Sequence, residues 1–157
     1  MDFIQEKVTR LYKKYNTKNP FELANFLNIT VLYEELGEIN GYYNSYVREK
    51  MIHINNNLDY KKQLFTCAHE LGHAIMHPNS STPFLRKSTL FSVNKLEMEA
   101  NQFAIDLLID DSEFKELLEG QLWSIYQLSN YFGVDLEIIE YKLKRLYKSR
   151  RWFYGIC

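Results

Sequence analysis

A chain of 157 residues has room for one domain with a real hydrophobic core and too little for two comfortable ones. Hydrophobic residues make up 46% and charged residues 25%, the profile of a globular chain and not of a disordered one. A formal net charge of −1 gives the chain as a whole no pull on nucleic acid or anionic lipid, so neither DNA nor a membrane is an expected partner.

The opening MDFIQEKVTRLYKKYN reads as an amphipathic helix, with Ile4, Val8, Leu11, Tyr12 and Tyr15 at helical spacing and no continuous apolar stretch of the signal-peptide kind. No apolar run approaches the length of a membrane span, and Cys67 and Cys157 form no framework spacing. Both cysteines are therefore expected to be reduced thiols of a cytoplasmic protein. Asn19-Pro20 predicts an N-cap and first position for a short helix to about Leu27. ITVLYEE (29–35) is β-branched and aromatic, hence a strand. Gly37 and Asn40-Gly41 mark turns. YYNSYV (42–47) and MIHIN (51–55) then form a hairpin across Arg48-Glu49-Lys50, with Ile52 and Ile54 facing the core and His53 on the polar face.

A long helix follows from about Leu58 to Met76, with Leu64, Ala68, Leu71 and Ile75 as its buried stripe and Pro78 as its stop. Residues 77–94, with Ser80, Ser81, Thr82 and Pro83, read as a long loop, and a second long helix runs from about Lys95 to Leu108. Short helices fill the last third: Asp110 with Glu113 and Ser124 with Gln127 have capping-box spacing, Gly133 breaks the chain, and a final helix spans about 135–148. The pattern defines an α+β fold, a small antiparallel sheet followed by a helical body. The expected organisation is one compact unit, with a main domain over 1–110 and a helical C-terminal subdomain over 111–157 packed on it.

The chemistry concentrates in TCAHELGHAIMHPN, residues 66–79. Helix positions i and i+4 lie about 40° apart and one turn along, so His69 and His73 project from one face and can share one metal ion. Glu70 sits beside them, close enough to take a proton from water at that ion without ligating it. His77 continues the four-residue spacing, but about 12 Å of helix axis separates it from His69, too far for one coordination sphere. It remains a possible substrate contact, as do Tyr42 and Tyr43 of a hairpin whose edge could accept an extended peptide.

A catalytic zinc needs a third protein ligand and an open position. KLEMEANQFAIDLLID offers Glu97 and Glu99, about 200° apart on a helix, so only one faces the metal. Glu97 shares its face with the small Ala100, Asn101 and Ala104, which permit a close approach that Gly72 of the first helix also favours. Glu99 shares its face with Gln102 and Asp106, which looks solvated. Glu97 is the favoured ligand, with Asn101 one turn on to orient a ligand imidazole or the carboxylate.

HELGHAIMHP followed by LEMEANQFAIDLLI resembles the ImmA/IrrE family of metallopeptidases. The resemblance extends upstream to PFELANFLNITVLYEELGEINGYY and MIHINNNL, and downstream to QLSNYFGVDLEIIEYKL. It implies a zincin-like fold, one Zn²⁺ held by His69, His73 and Glu97, and Glu70 as the catalytic base. It further implies a phage or mobile-element protein of a bacterial host that cuts a cognate helix-turn-helix repressor to trigger derepression, with an activator protein as a further partner. Leu108-Ile109-Asp110 departs from the family's usual apolar residue and Pro, at a helix end rather than at a proposed ligand.

SIYQLSNYFGVDLEIIEYKLKRL has the outline of a helix-turn-helix, yet its second helix opens with Asp135, Glu137 and Glu140, which phosphates would repel. The basic run KLKRLYKSRR (142–151) lies at the other end. The rival to a peptidase is a zinc-binding regulatory module that binds a transcriptional regulator or DNA without proteolysis; Glu70, which such a module does not need, argues against it.

Overall fold

The computed structural model of the chain describes residues 2–78, 95–120 and 122–148. The loop residues Ser80, Ser81, Thr82 and Pro83, the end of the basic run at 149–151 and Cys157 lie outside the described residues. The chain divides into two compact units, Met1–Leu108 and Ile109–Cys157. No helix among the described residues is long and apolar enough to cross a membrane.

In the first unit, α1 (Phe3–Tyr15) starts at a complete capping box between Asp2 and Gln5. Its apolar face buries Ile4 and Val8, whereas Tyr12, expected in the same stripe, stands largely in solvent. Asn19 caps α2 (Pro20–Phe26) with Pro20 at its first position, as the dipeptide predicts. Three strands follow: β1 (Ile29–Glu34), β2 (Gly41–Tyr46) and β3 (Glu49–Asn55), in the order β1-β3-β2. The α+β class holds, and β2 and β3 form the expected antiparallel hairpin, Tyr43 opposite Ile52. The sheet itself is mixed, because β1 joins β3 in parallel, Val31 opposite Ile52. A sequence pattern fixes a strand's two faces but not the direction of a partner brought in from outside the hairpin.

The hairpin turn is also tighter than the sequence suggests. Val47 and Arg48 make it alone, at φ +46° and +76°, the left-handed backbone of a two-residue turn. Glu49 and Lys50 are already strand.

Two long helices carry the rest of the unit. Asp59 caps α3 (Tyr60–Met76), and α4 spans Lys95–Leu108. α3 packs on the sheet face that carries Tyr43, Ile52 and Ile54, with Ala68 and Leu71 in the same cluster. Of its expected stripe, Leu64 and Ile75 are only partly buried, while Cys67, Gly72 and Ala74 are buried as well. The reason is that α3 is covered twice, by the sheet and by α4. A Cβ on Gly72 would lie 3.1 Å from the Ala100 Cα and 3.2 Å from the Phe103 Cβ, so the two helices touch backbone to backbone there. Tyr43 pins the other end, its buried hydroxyl donating to the Pro78 carbonyl at 3.1 Å.

The second unit comprises α5 (Asp111–Lys115), a π-helical turn (Glu116–Gly120), α6 (Ile125–Phe132) and α7 (Leu136–Lys148). Ser124 and Gln127 form the full capping box. Asp110 caps α5, but Glu113 accepts a hydrogen bond from the Tyr131 hydroxyl, 2.9 Å away. Phe114, Leu117, Leu128, Ile138, Ile139 and Leu146 are buried in this unit. Lys142, read in the sequence as part of a basic run, is 3% exposed; its ammonium donates to the Ile109 carbonyl at 2.9 Å and pairs with Asp111. It is a buried staple between α7 and the start of α5, and Lys144 is the next base along the helix to stand exposed.

Candidate metal centre

Because α3 and α4 are in contact at Gly72 and Ala100, side chains near that point reach across the seam. His69 and His73 come from α3 at i, i+4, and Glu97 comes from the first turn of α4. Their ligand atoms lie within 4.8 Å of one another. His69 Nε2 is 3.2 Å from His73 Nε2 and 3.2 Å from one Glu97 oxygen, and His73 Nε2 is 3.2 Å from the other. Four ligands placed tetrahedrally about 2.0–2.1 Å from an ion stand about 3.3 Å apart, so the observed separations suit a single small cation.

Hydrogen bonding points the same way. His69 Nδ1 donates to Asn101 Oδ1 at 2.8 Å, which turns His69 Nε2 toward the Glu97 carboxylate. A positive charge satisfies both groups there, carried by protons on the imidazoles or by a metal ion in their place. The Glu97 carboxyl is held well below its ordinary range: burial pushes its pKa up, but hydrogen bonds and charge from His69 and His73 outweigh that. The third ligand candidate is thus ionised and ready at neutral pH. His73 has no exposed surface, and its Nδ1 has no hydrogen-bond partner among the described residues. Packing orients its ring, which meets His69 edge-on at 4.8 Å between centroids.

Glu70 is fully buried in α3, the residue next to His69. His77 caps the end of α3 and stays out of the ligand cluster, its ring 6.1 Å from that of His73. Its imidazole pairs with Glu99 at 3.1 Å. Glu99 is therefore not the solvated residue its helical face suggests. Gln102 on the same face is engaged too, donating to Asp2 at 2.7 Å. The face meets the start of α1, a contact that spacing within α4 cannot reveal.

The two tyrosines expected as substrate contacts are engaged elsewhere. Tyr43 is fully buried and its hydroxyl is committed to Pro78. Tyr42 points to the opposite sheet face from α3 and stacks on His53, 4.2 Å between ring centroids. His53 is itself buried there and bonded to Glu34 at 2.8 Å, a role its place on a polar strand face did not show.

An α+β fold that brings two histidines of His-Glu-x-x-His and a helix-borne glutamate to one point defines a zincin-like metallopeptidase. The chain matches the Peptidase_M78 family, described as the IrrE N-terminal-like domain, over residues 24–144, and belongs to that family. It is 33% identical over 146 residues to Metallopeptidase ImmA of Bacillus subtilis (strain 168), covering 91% of this chain and 85% of that one. It is 51% identical over 109 residues to the Uncharacterized immunity region protein 2 of Bacillus phage phi105, 69% of each chain. Among solved structures, a Mycobacterium tuberculosis transcriptional regulator shares the fold, with a TM-score of 0.60 over 91% of this chain at 17% identity. The chain spans 47% of that regulator's length.

Proposed function

We propose that this metallopeptidase is a zinc-dependent, site-specific endopeptidase that cleaves the cognate helix-turn-helix repressor of a phage or mobile element, releasing the genes it holds silent. The convergence of His69, His73 and Glu97 at 3.2 Å separations beside the buried Glu70 carries the reading. Two imidazole nitrogens and one carboxylate oxygen, with a position left open, are the donor set of hydrolytic zinc centres. Zn²⁺ held there supplies a Lewis acid that polarises the scissile carbonyl and acidifies water.

The protein's own groups do the rest. Glu70 takes a proton from the attacking water as its oxygen bonds to the carbonyl carbon. It then passes that proton to the amide nitrogen as the C–N bond breaks. Shut away from solvent, Glu70 holds the proton for the nitrogen instead of losing it to bulk water. Asn101 keeps His69 in the tautomer whose lone pair faces the centre. His77, fixed by Glu99 one turn beyond His73, is the remaining candidate to meet the substrate. Likeness to a phage immunity-region protein and to ImmA supports a substrate that guards such an element, and the fold shared with a transcriptional regulator is compatible with it.

Intact-mass analysis of the repressor after incubation with wild type and with Glu70→Gln, both zinc-loaded, tests this. One cut made by wild type alone is expected, with equal zinc in both proteins by elemental analysis. Equal cutting by Glu70→Gln would end the assignment of the base. Intact repressor with zinc-loaded wild type would end the substrate assignment.

A further inference from the structure

The second unit carries a surface that the metal centre does not use. Leu122 is 85% exposed and has φ +52°, a left-handed backbone that a leucine side chain opposes. It therefore bears a steric cost and a solvation cost at once, directly after a π-helical turn, an irregularity that clusters at functional sites. Beyond it, Tyr126 is 64% and Tyr131 42% exposed, and with Gln127 and Asn130 they form the outward face of α6.

Trp123 and Tyr131 are fixed in place. The Trp123 backbone N–H donates to the Leu117 carbonyl at 3.2 Å, and its ring meets Tyr131 edge-on at 5.2 Å between centroids. The Tyr131 hydroxyl is held by Glu113. A half-buried Trp123 and an exposed Tyr131, held rigid with little ordering entropy left to lose, are what binding hot spots are made of.

Charge narrows the choice of occupant. Glu113, Glu116 and Glu119, all exposed, lie on the short α5–π segment that leads into this patch, and Glu113 touches it at Tyr131. Lys115 is the single base between residues 109 and 140. Such a surface repels nucleic acid and anionic lipid and complements a basic protein. A repressor's DNA-binding face is basic because it neutralises phosphates.

We propose that Leu122, Trp123, Tyr126 and Tyr131, flanked by Glu113, Glu116 and Glu119, dock the basic DNA-binding face of the protein substrate. The proposal rests on the repressor reading above, and adds that recognition is divided between the bond cut at the metal and a contact made by the second unit.

The test uses the full chain, the cognate repressor at full length, and a synthetic peptide spanning its cut site. Two variants probe the surface independently: Leu122→Ser with Tyr126→Ser, and Glu116→Lys with Glu119→Lys. Repressor affinity is measured in a Glu70→Gln background, and cleavage of both substrates in the active enzyme. Each variant is expected to weaken repressor binding on the order of tenfold, the loss of one or two hot-spot contacts, and to leave peptide cleavage unchanged. Added salt should weaken the wild-type complex and hardly affect the charge-reversed one.

Unchanged repressor affinity in both variants overturns the docking surface even if cleavage of the repressor is normal, and leaves the protease reading intact. Repressor bound through this surface yet never cut supports docking and sinks the cleavage reading. Equal losses on peptide and repressor, or no repressor binding by wild type, overturn the proposal. So does a dimer that dissociates in the variants while repressor affinity holds, which would assign the patch to a second copy.

Discussion

Asn101 Oδ1 accepts the His69 Nδ1–H at 2.8 Å, and so one side chain of α4 decides which nitrogen of an α3 histidine faces the metal position. Glu97 and Asn101 are one turn apart on α4, one reaching the cluster and the other reaching the ring behind it. The pair makes α4 a clamp on His69 from two directions.

Asn101→Ala removes that orientation and leaves three ligands. Metal affinity should fall roughly 10- to 100-fold, as for other losses of a histidine's outer partner, with thermal stability of the metal-free protein little changed. Competition against a chromogenic chelator measures it. Affinity equal to wild type would mean that packing alone orients His69.

Gly72→Ala sets two effects against each other. Alanine is the better helix former by about 1 kcal/mol. Its Cβ, however, would press at 3.1 Å on the Ala100 backbone, and forcing a packed seam apart costs about 1–3 kcal/mol. The net expectation is a lower melting temperature and weaker metal binding, because the same seam sets the separation of His73 and Glu97. A variant more stable than wild type would show that the seam has slack.

Acid should act through Glu97 in the metal-free protein. Its carboxyl is held below the ordinary 4.5 by His69 and His73 against the opposing effect of burial. A carboxyl with a depressed folded-state pKa adds stability above its unfolded value and loses it as pH falls through the folded one. Melting temperature should therefore drop as pH is taken from about 5 towards 3, and less steeply in Glu97→Gln. Parallel curves for the two proteins would remove Glu97 from the account.

The hairpin turn is open to improvement. Val47 and Arg48 both sit at positive φ, where a side chain costs about 1–2 kcal/mol and Asn-Gly is the preferred pair. Val47→Asn with Arg48→Gly should raise stability by about 1 kcal/mol once glycine's extra unfolded-state entropy is subtracted. Urea denaturation checks this. A loss of stability would mean that Val47 makes contacts worth more than its strain.

Most of what is local in this protein was legible in its sequence. The i, i+4 histidines, the Asn19-Pro20 start of α2 and the Ser124 capping box are decided within a few residues, and each falls where its spacing puts it. What escaped depends on a distant partner. GYYNSY carries tyrosines on both faces, so alternation could not say that Tyr43 goes inward and Tyr42 outward. Lys142 looked like one of a series of cations until α7 met the carbonyl of Ile109. Glu99 and Gln102 looked solvated because helical spacing is blind to His77 and to Asp2.

The seam at Gly72 and Ala100 has one more consequence. His73 and Glu97 belong to different helices, so an ion shared between them is a reversible cross-link between segments that the chain itself leaves to side-chain packing. An ion at a hundred times its dissociation constant adds about 2.7 kcal/mol of stability to a protein that binds it only when folded. The melting temperature then becomes a gauge of available metal.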